Sequence, residues 1–421
     1  MLKTERGGMT GHGLSVLDIV RHALKTIVRN LTNQDRLSLI AYSDEANLVF
    51  PLTQMGHDSL TETEGHVDGL VPHGMTNLWG GLKMGIEQLK EGSAEPGRLQ
   101  HIMLFTDGLP NINPPRGILP MLKRLKDKEG GRLPCTISTF GFGYELDSEL
   151  LALLANEGSG AYAFIPDAGF VGTVFVNAMS NLLVTMAKDV RICLEPMGGA
   201  RFATDAPVMG GHPVLSQDGG KLTIAAGSLQ FGQKKQVVVQ MSVPPAAAGA
   251  GYLKASVEYL PRSGSVCTIE AVGKGEAEDV KAVEPQRLRL LAVDCVRYIM
   301  QSLKLTAADK ASGKALPLSV AQASVDATLD DLRRSPARTM REMEALSEDL
   351  SGQVTEAISR EDWYNKWGIH YLPSLLFAHL TQQCNNFKDA SVQIYGGALF
   401  QKVRDQADDV FLALPAPTPS A

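Results

Sequence analysis

Along the first 187 residues the apolar positions switch repeatedly between a helical and a strand period. In LSVLDIVRHALKTIVRNL (14–31), Leu17, Val20, Leu24, Ile27 and Leu31 recur at helical spacing, which predicts one amphipathic helix. DRLSLIAYS (35–43) and ANLVFPL (46–52) are apolar runs either side of a tight Asp44-Glu45 turn and predict an antiparallel hairpin. Helices are expected over 58–70 and 77–91. LQHIMLFTDG (99–108) reads as a strand ending in Thr-Asp-Gly. A helix over 116–128, a strand in CTISTFGFG (135–143), a helix over 147–158, a strand in AYAFI (161–165) and a helix over 169–187 complete the region. This alternation predicts an α/β, doubly wound Rossmann-like domain whose parallel sheet carries helices on both faces. Ligands on such sheets sit outside the carboxyl ends of the strands, where Asp107 and Gly143 fall.

Beyond 188 the pattern changes. DVRICLEPM, KLTIAAGSL, KKQVVVQMSV and YLKASVEYL alternate apolar and polar residues between Gly and Pro, with no helical stretch among them, and predict a β-sandwich. The charged, glycine-containing stretch GKGEAEDVKAVEP (273–285) lacks apolar periodicity and reads as a linker. Residues 278–350 then read as helical, and the block 361–414 closes the chain ahead of a Pro-rich tail. The expected division is residues 1–187, 188–275 and 276–421.

Composition narrows the function classes. Forty Lys and Arg against 46 Asp and Glu leave a net charge of −6, which argues against nucleic-acid binding through bulk charge. Apolar residues at 44% and charged residues at 20% allow real cores to be buried. Cys135, Cys193, Cys267, Cys295 and Cys384 lie far apart, with no CxxC. Neither a disulfide framework nor a zinc ribbon is expected, and a reducing, intracellular setting, the cytoplasm, fits best. No run of about 18 apolar residues occurs, so no membrane span is expected.

The motifs name no catalytic group, and the chain reads as non-enzymatic. Residues 69–76 approach a phosphate-binding loop, but Met75 stands where its Lys belongs and the segment lies between two helices. Gly11-His-Gly13 reads as a helix-start loop. Thr76, before a helix, suits an N-cap by itself, and Asp107, before a glycine, suits a turn. Together, a hydroxyl and a carboxylate on strand-end loops suit a hard cation such as Mg²⁺. Trp363, Trp367, His370, Tyr371 and His379 make a candidate pocket, but two histidines nine residues apart read better as satisfied side chains than as metal ligands. Cys384-Asn385-Asn386 reads as a buried cysteine rather than a self-processing site.

NQDRLSLIAYSDEANLVFPL, GMTNLWGGLKMGIEQL, IMLFTDGLPN and TFGFGYELDSELLALLANEGSGAYAFI occur in an order that resembles the von Willebrand factor A (VWA) domain, over about 9–187. That resemblance implies a metal-ion-dependent adhesion site (MIDAS) made of an Asp-x-Ser-x-Ser loop after the first strand, then a Thr, then an Asp. Thr76 and Asp107 match the last two elements. Aligning the family's loop-end Met with Met9 puts Thr4, Arg6 and Gly8 where Asp, Ser and Ser belong, and leaves no room for the first strand. The expectation is a chain lacking the first strand, by truncation, and binding Mg²⁺ weakly or not at all.

KWGIHYLPSLLFAHLTQQCNNFKDASVQIYGGALFQKVRD (366–405) resembles the Vwaint region that follows VWA domains in VWA–Hint (intein-like) proteins. Together the resemblances imply a protein–protein interaction scaffold with a degenerate metal site and a protein partner. The alternative is a substrate-recruiting or accessory part of a ubiquitin-ligase or Hint-type self-processing protein. No Hint block and no RING-type Cys/His pattern is visible.

Overall fold

The computed structural model describes residues 14–92, 98–247, 249–262, 264–275, 280–305, 309, 312, 314–386 and 389–419. The proposed alignment of Thr4, Arg6, Gly8 and Met9, and the loop at Gly11–Gly13, lie outside the described residues. The chain divides into two compact units, one running to Thr185 and resuming at Gly397, the other spanning Met186–Gly396. This differs from the three-part division expected from the sequence, because the last helix belongs with the first unit.

In the first unit Ser15 opens α1 (Val16–Asn30) through a reciprocal capping box. The Asp18 N–H donates to Ser15 Oγ at 3.1 Å, and the Ser15 N–H donates to Asp18 Oδ2 at 2.9 Å. The Asp44-Glu45 turn folds β1 (Arg36–Tyr42) onto β2 (Ala46–Gln54) as an antiparallel hairpin. α2 (His57–Asp68) and α3 (Leu78–Glu91) follow. β3 (His101–Thr106), α4 (Ile118–Lys128), β4 (Thr136–Phe142), α5 (Ser148–Glu157), β5 (Ser159–Ile165) and α6 (Ala168–Leu183) complete the alternation. β3, β4 and β5 form a parallel sheet in that order.

Burial tracks pairing. β4, flanked by strands on both sides, is buried from Ile137 to Phe142, whereas β1 is half-buried along its whole length. Among the described residues β1 pairs only with β2, and β3 only with β4. The two ladders stay separate among the described residues. α3 covers both: a Cβ at Gly85 would lie 3.3 Å from Ile102 Cδ1 and 3.8 Å from Ile40 Cδ1.

Ile19, Ala23 and Ile27 of α1 pack with Phe140 and Phe142 of β4 and with Val171, Val174 and Phe175 of α6. The C-terminal helix Ala398–Ala413 adds Ala407 and Phe411 to this core. The Phe411 ring meets His22 edge-on at 4.7 Å. It also fills the place of a side chain at Gly172, where a Cβ would sit 2.5 Å from Phe411 Cζ.

The second unit is a five-stranded sheet with helices. Its strand order is β12-β11-β6-β9-β8, where β6 is Thr185–Pro196, β8 Val214–Asp218, β9 Lys221–Gln230, β11 Leu253–Pro261 and β12 Cys267–Gly273. The facing layer is a two-residue ladder, β7 (Arg201–Phe202) with β10 (Met241–Ser242), and the Val208–Val239 bridge. Phe202, Val208, Val237 and Val239 pack from this layer onto Leu194, Leu222 and Ile224. The expected sandwich thus has one full sheet and one reduced layer.

Helices follow: α7 (Val280–Ser302), α8 (Leu318–Arg334), α9 (Arg341–Asp349), α10 (Ile369–Thr381) and the short α11 (Ala390–Gln393).

Three local expectations are corrected. The helix expected over 169–187 stops at Leu183, and Thr185 begins β6, whose buried residues Thr185, Ala187 and Val190 belong to strand packing. A left-handed Asp189 (φ 58°) makes a bulge there. The segment KKQVVVQMSV contributes only Met241–Ser242 as strand. The Gln236 N–H donates to Gln382 Oε1 and its carbonyl accepts from Arg289, so side chains take the place of a ladder. The linker expected over 273–285 is helical from Val280, with Pro285 inside α7.

Candidate functional site

In the first unit Asp107 sits on the loop at the carboxyl end of β3, and Thr76 sits on the α2–α3 loop, which is bonded to the turn at the carboxyl end of β1. Three loops meet there. Asn77 caps α3, its Oδ1 accepting from the Gly80 N–H at 2.9 Å, while its own N–H donates to the Ser43 carbonyl at 2.8 Å and its Nδ2 to the Asp44 carbonyl at 3.1 Å. The capping role considered for Thr76 thus belongs to Asn77. Thr76 tethers the third loop instead: its N–H donates to Asn111 Oδ1 at 2.7 Å, and its carbonyl accepts from the Asn111 N–H at 3.3 Å.

Asp107 follows β3 and is exposed, and Thr76 is half-buried. A Cβ at Gly108 would lie 3.4 Å from Thr76 Oγ1, so the Thr76 hydroxyl stands beside the residue that follows Asp107. The loop after β3 is held by Thr106, whose hydroxyl donates to the Gly108 carbonyl at 3.1 Å. Tyr42 approaches the same turn, and burial, reinforced by the Asp107 charge, pushes its hydroxyl pKa well up. Sequence reading passed over Asp44. Its carboxylate Oδ2 would lie 2.8 Å from a Cβ at Gly74, on the loop that carries Thr76. The only signal was its place in the β1–β2 turn.

A magnesium ion seeks six oxygens in an octahedron and accepts several waters. Thr76 and Asp107 offer one hydroxyl and one carboxylate. Among the described residues no group of three or more His, Cys, Asp or Glu is arranged to hold a metal ion. This donor set does not make a strong cation site by itself.

The second block of candidates is a packed network in the second unit. His379 is buried, with Nδ1 2.7 Å from the Tyr395 hydroxyl and Nε2 3.3 Å from Ser391 Oγ. Burial holds its pKa down at about 3, so it is neutral and fully engaged. Asp349 accepts from the N–H groups of Ala390 and Ser391 at 3.0 and 2.8 Å and from the Ser391 hydroxyl, fixing the start of α11. Tyr371 donates to Asp389 at 2.9 Å, and Trp367 packs against Tyr371 at 5.6 Å. Cys384 is buried, its thiol 3.3 Å from the Asn386 carbonyl. His370 is buried, and Arg360 lies over the Trp363 ring at 5.3 Å. No disulfide joins any two of the five cysteines.

Comparison with known proteins fits this picture. Residues 7–175 match the von Willebrand factor type A domain and residues 340–409 match Vwaint, "VWA / Hh protein intein-like". The chain is 31% identical over 182 residues to the uncharacterized protein YfbK of Escherichia coli, covering 42% of this chain and 30% of that protein. It is 22% identical over 337 residues to the probable E3 ubiquitin-protein ligase WAVH2 of Arabidopsis thaliana, covering 76% of this chain and 44% of the relative. The chain thus spans less than half the length of either. A solved von Willebrand factor type A protein from Catenulispora acidiphila superposes with a TM-score of 0.58 at 15% identity, covering 79% of this chain and 78% of that one, a likeness of fold. Among the described residues no helix is long and apolar enough to cross a membrane. Residues 7–175 are thus a VWA domain, and residues 340–409 further along the chain are a Vwaint region.

Proposed function

We propose that the strand-end face of the VWA unit docks a protein partner, with Thr76 and Asp107 as its polar centre and little help from a metal. VWA domains are protein-interaction modules. The observation that carries the proposal is the apolar exposure on these loops: Met75 is 43% exposed and Leu109 53% exposed, each within two residues of a polar candidate. Large apolar side chains grouped on one loop cluster favour association over solvation. The Asn111–Thr76 bonds keep the two loops together, so little ordering entropy is lost on docking.

A photo-crosslinking residue at position 75 or 109 tests this. The proposal expects discrete adducts at both positions, none from position 128 at the far end of α4, and loss of the position-75 adducts on Leu109→Lys. Equal labelling from all three positions removes the face from consideration.

A second reading takes the chain as a substrate-recruiting portion of a ubiquitin-ligase system. It is favoured by the likeness to the probable ligase WAVH2 along 76% of this chain. The same crosslinked partner would then be ubiquitinated in a reconstituted reaction only when this chain is present.

A further inference from the structure

Within the second unit, three separate stretches bring three cations, Arg289, Arg297 and Lys235, together with a histidine, and only Arg297 has a carboxylate, Asp294, to match it among the described residues. α7 contributes Arg289 and Arg297, eight residues apart and so on one helical stripe, with buried Val293 between them. The turn Gly210-Gly211 packs against this stripe. The Gly210 N–H donates to Asp294 Oδ2 at 3.2 Å, and Arg297 donates to the Gly210 carbonyl at 2.7 Å. Both glycines have positive φ (73° and 63°), and a Cβ on Gly211 would lie 2.6 Å from the Arg297 guanidinium, so only glycine fits. The turn delivers His212. The third stretch holds Lys235 next to Gln236, whose carbonyl accepts from Arg289 at 3.0 Å.

The pairing of these groups is incomplete. Arg297 has Asp294 at 2.9 Å, but Arg289, only 3% exposed, bonds to Gln286 and to the carbonyls of His379 and Gln236. Lys235 donates to the carbonyls of Ala226 and Ser228. Neither makes an ion pair with a carboxylate among the described residues. A guanidinium has five N–H donors and an ammonium three, so both keep donors in hand. His212 is 6% exposed, and its Nε2 is buried with no hydrogen-bond partner. A buried cation needs a compensating charge, and a buried ring nitrogen needs a partner.

We propose that His212, Lys235 and Arg289 form a seat for a small oxyanion of the phosphate class inside the second unit. Such an anion accepts from the spare Lys235 and Arg289 donors and from the N–H tautomer of His212. It neutralises the excess positive charge and satisfies the orphaned nitrogen in one step. The Pro213 carbonyl, one residue on from His212, accepts from the Ala225 N–H at 2.8 Å, and Lys235 donates to the carbonyl of the next residue, Ala226, so His212 and Lys235 meet along β9. Burial and the nearby cationic charges lower the His212 pKa accordingly.

The test uses the full chain and inorganic phosphate, with chloride at equal ionic strength as the reference. Calorimetry of the wild type is expected to show saturable phosphate binding, and the melting temperature to rise with phosphate but not with chloride. His212→Ala and Lys235→Met should each lose the phosphate-specific rise. Lys221→Met, which removes an exposed β9 lysine paired with Glu195, should keep it. Absence of phosphate heat in the wild type, a rise matched by chloride, or an undiminished rise in Lys235→Met overturns the proposal. The wild-type titration decides even where His212→Ala fails to fold.

Discussion

The Tyr42 hydroxyl on β1 donates to the Phe105 carbonyl on β3 at 2.5 Å, although the two strands share no ladder among the described residues. A side chain here makes a link that neighbouring strands normally make through backbone. Tyr42→Phe keeps the ring and removes the bond. It is expected to cost about 1 kcal/mol, the net worth of a typical hydrogen bond, more if the carbonyl is left dry. Chemical denaturation with an unchanged m-value measures it. No loss would mean that water already serves the Phe105 carbonyl.

Among the described residues β1 pairs only with β2 and β3 only with β4. Extending the chain ahead of Met9 with a VWA-type first strand and its Asp-x-Ser-x-Ser loop is expected to raise the melting temperature and to slow amide exchange in 36–42 and 101–106. A central parallel strand gains pairing on both sides and apolar contact on both faces. Unchanged exchange in both strands counts against an open slot.

Thr76 and Asp107 alone place one full negative charge near a divalent ion. The chain is expected to show no micromolar Mg²⁺ binding by calorimetry, and EDTA should leave its melting temperature in place. Micromolar affinity abolished by Asp107→Ala would falsify this. The strand-extended chain should gain Mg²⁺-dependent stabilisation, because a ligand that binds only the folded state stabilises it by mass action.

Burial, with the Arg289 charge adding to it, lowers the Lys235 ammonium pKa from 10.5 to about 7. Between those values the folded chain holds fewer protons than the unfolded one, so stability rises with pH across that window. Lys235→Met removes this contribution. In phosphate-free buffer, urea unfolding should show the wild type gaining stability from pH 7 to 10 relative to the variant. Parallel profiles would assign the titration to another group.

Much of the first unit was legible because its elements are local. The helical spacing of Leu17, Val20, Leu24 and Ile27 marks α1, and the Asp44-Glu45 turn dictates the hairpin. Thr76 and Asp107 were legible as strand-end residues, yet the bonds that join their loops, Asn77 to Ser43 and Asn111 to Thr76, depend on the fold. Misreadings arose where distant side chains set local structure. Arg289 and Gln382 satisfy the Gln236 backbone and end the strand expected there. Nothing near Arg289 in sequence announces Lys235 or His212. Met186 and Ala187 extend an apolar run that looks helical until β11 pairs with it.

The seating of Phe411 against Gly172 and His22 means that the VWA unit is sealed by residues made only after the whole second unit. During synthesis α1 through α6 emerge early, but the groove over α6 stays open until the whole of 186–396 has been translated. Closing so long a loop adds little entropic cost, since that cost grows only with the logarithm of length, but it imposes a wait. For that interval the nascent unit presents the Gly172 notch to solvent and to chaperones. A fragment cut at residue 187 would remain in that unsealed state permanently.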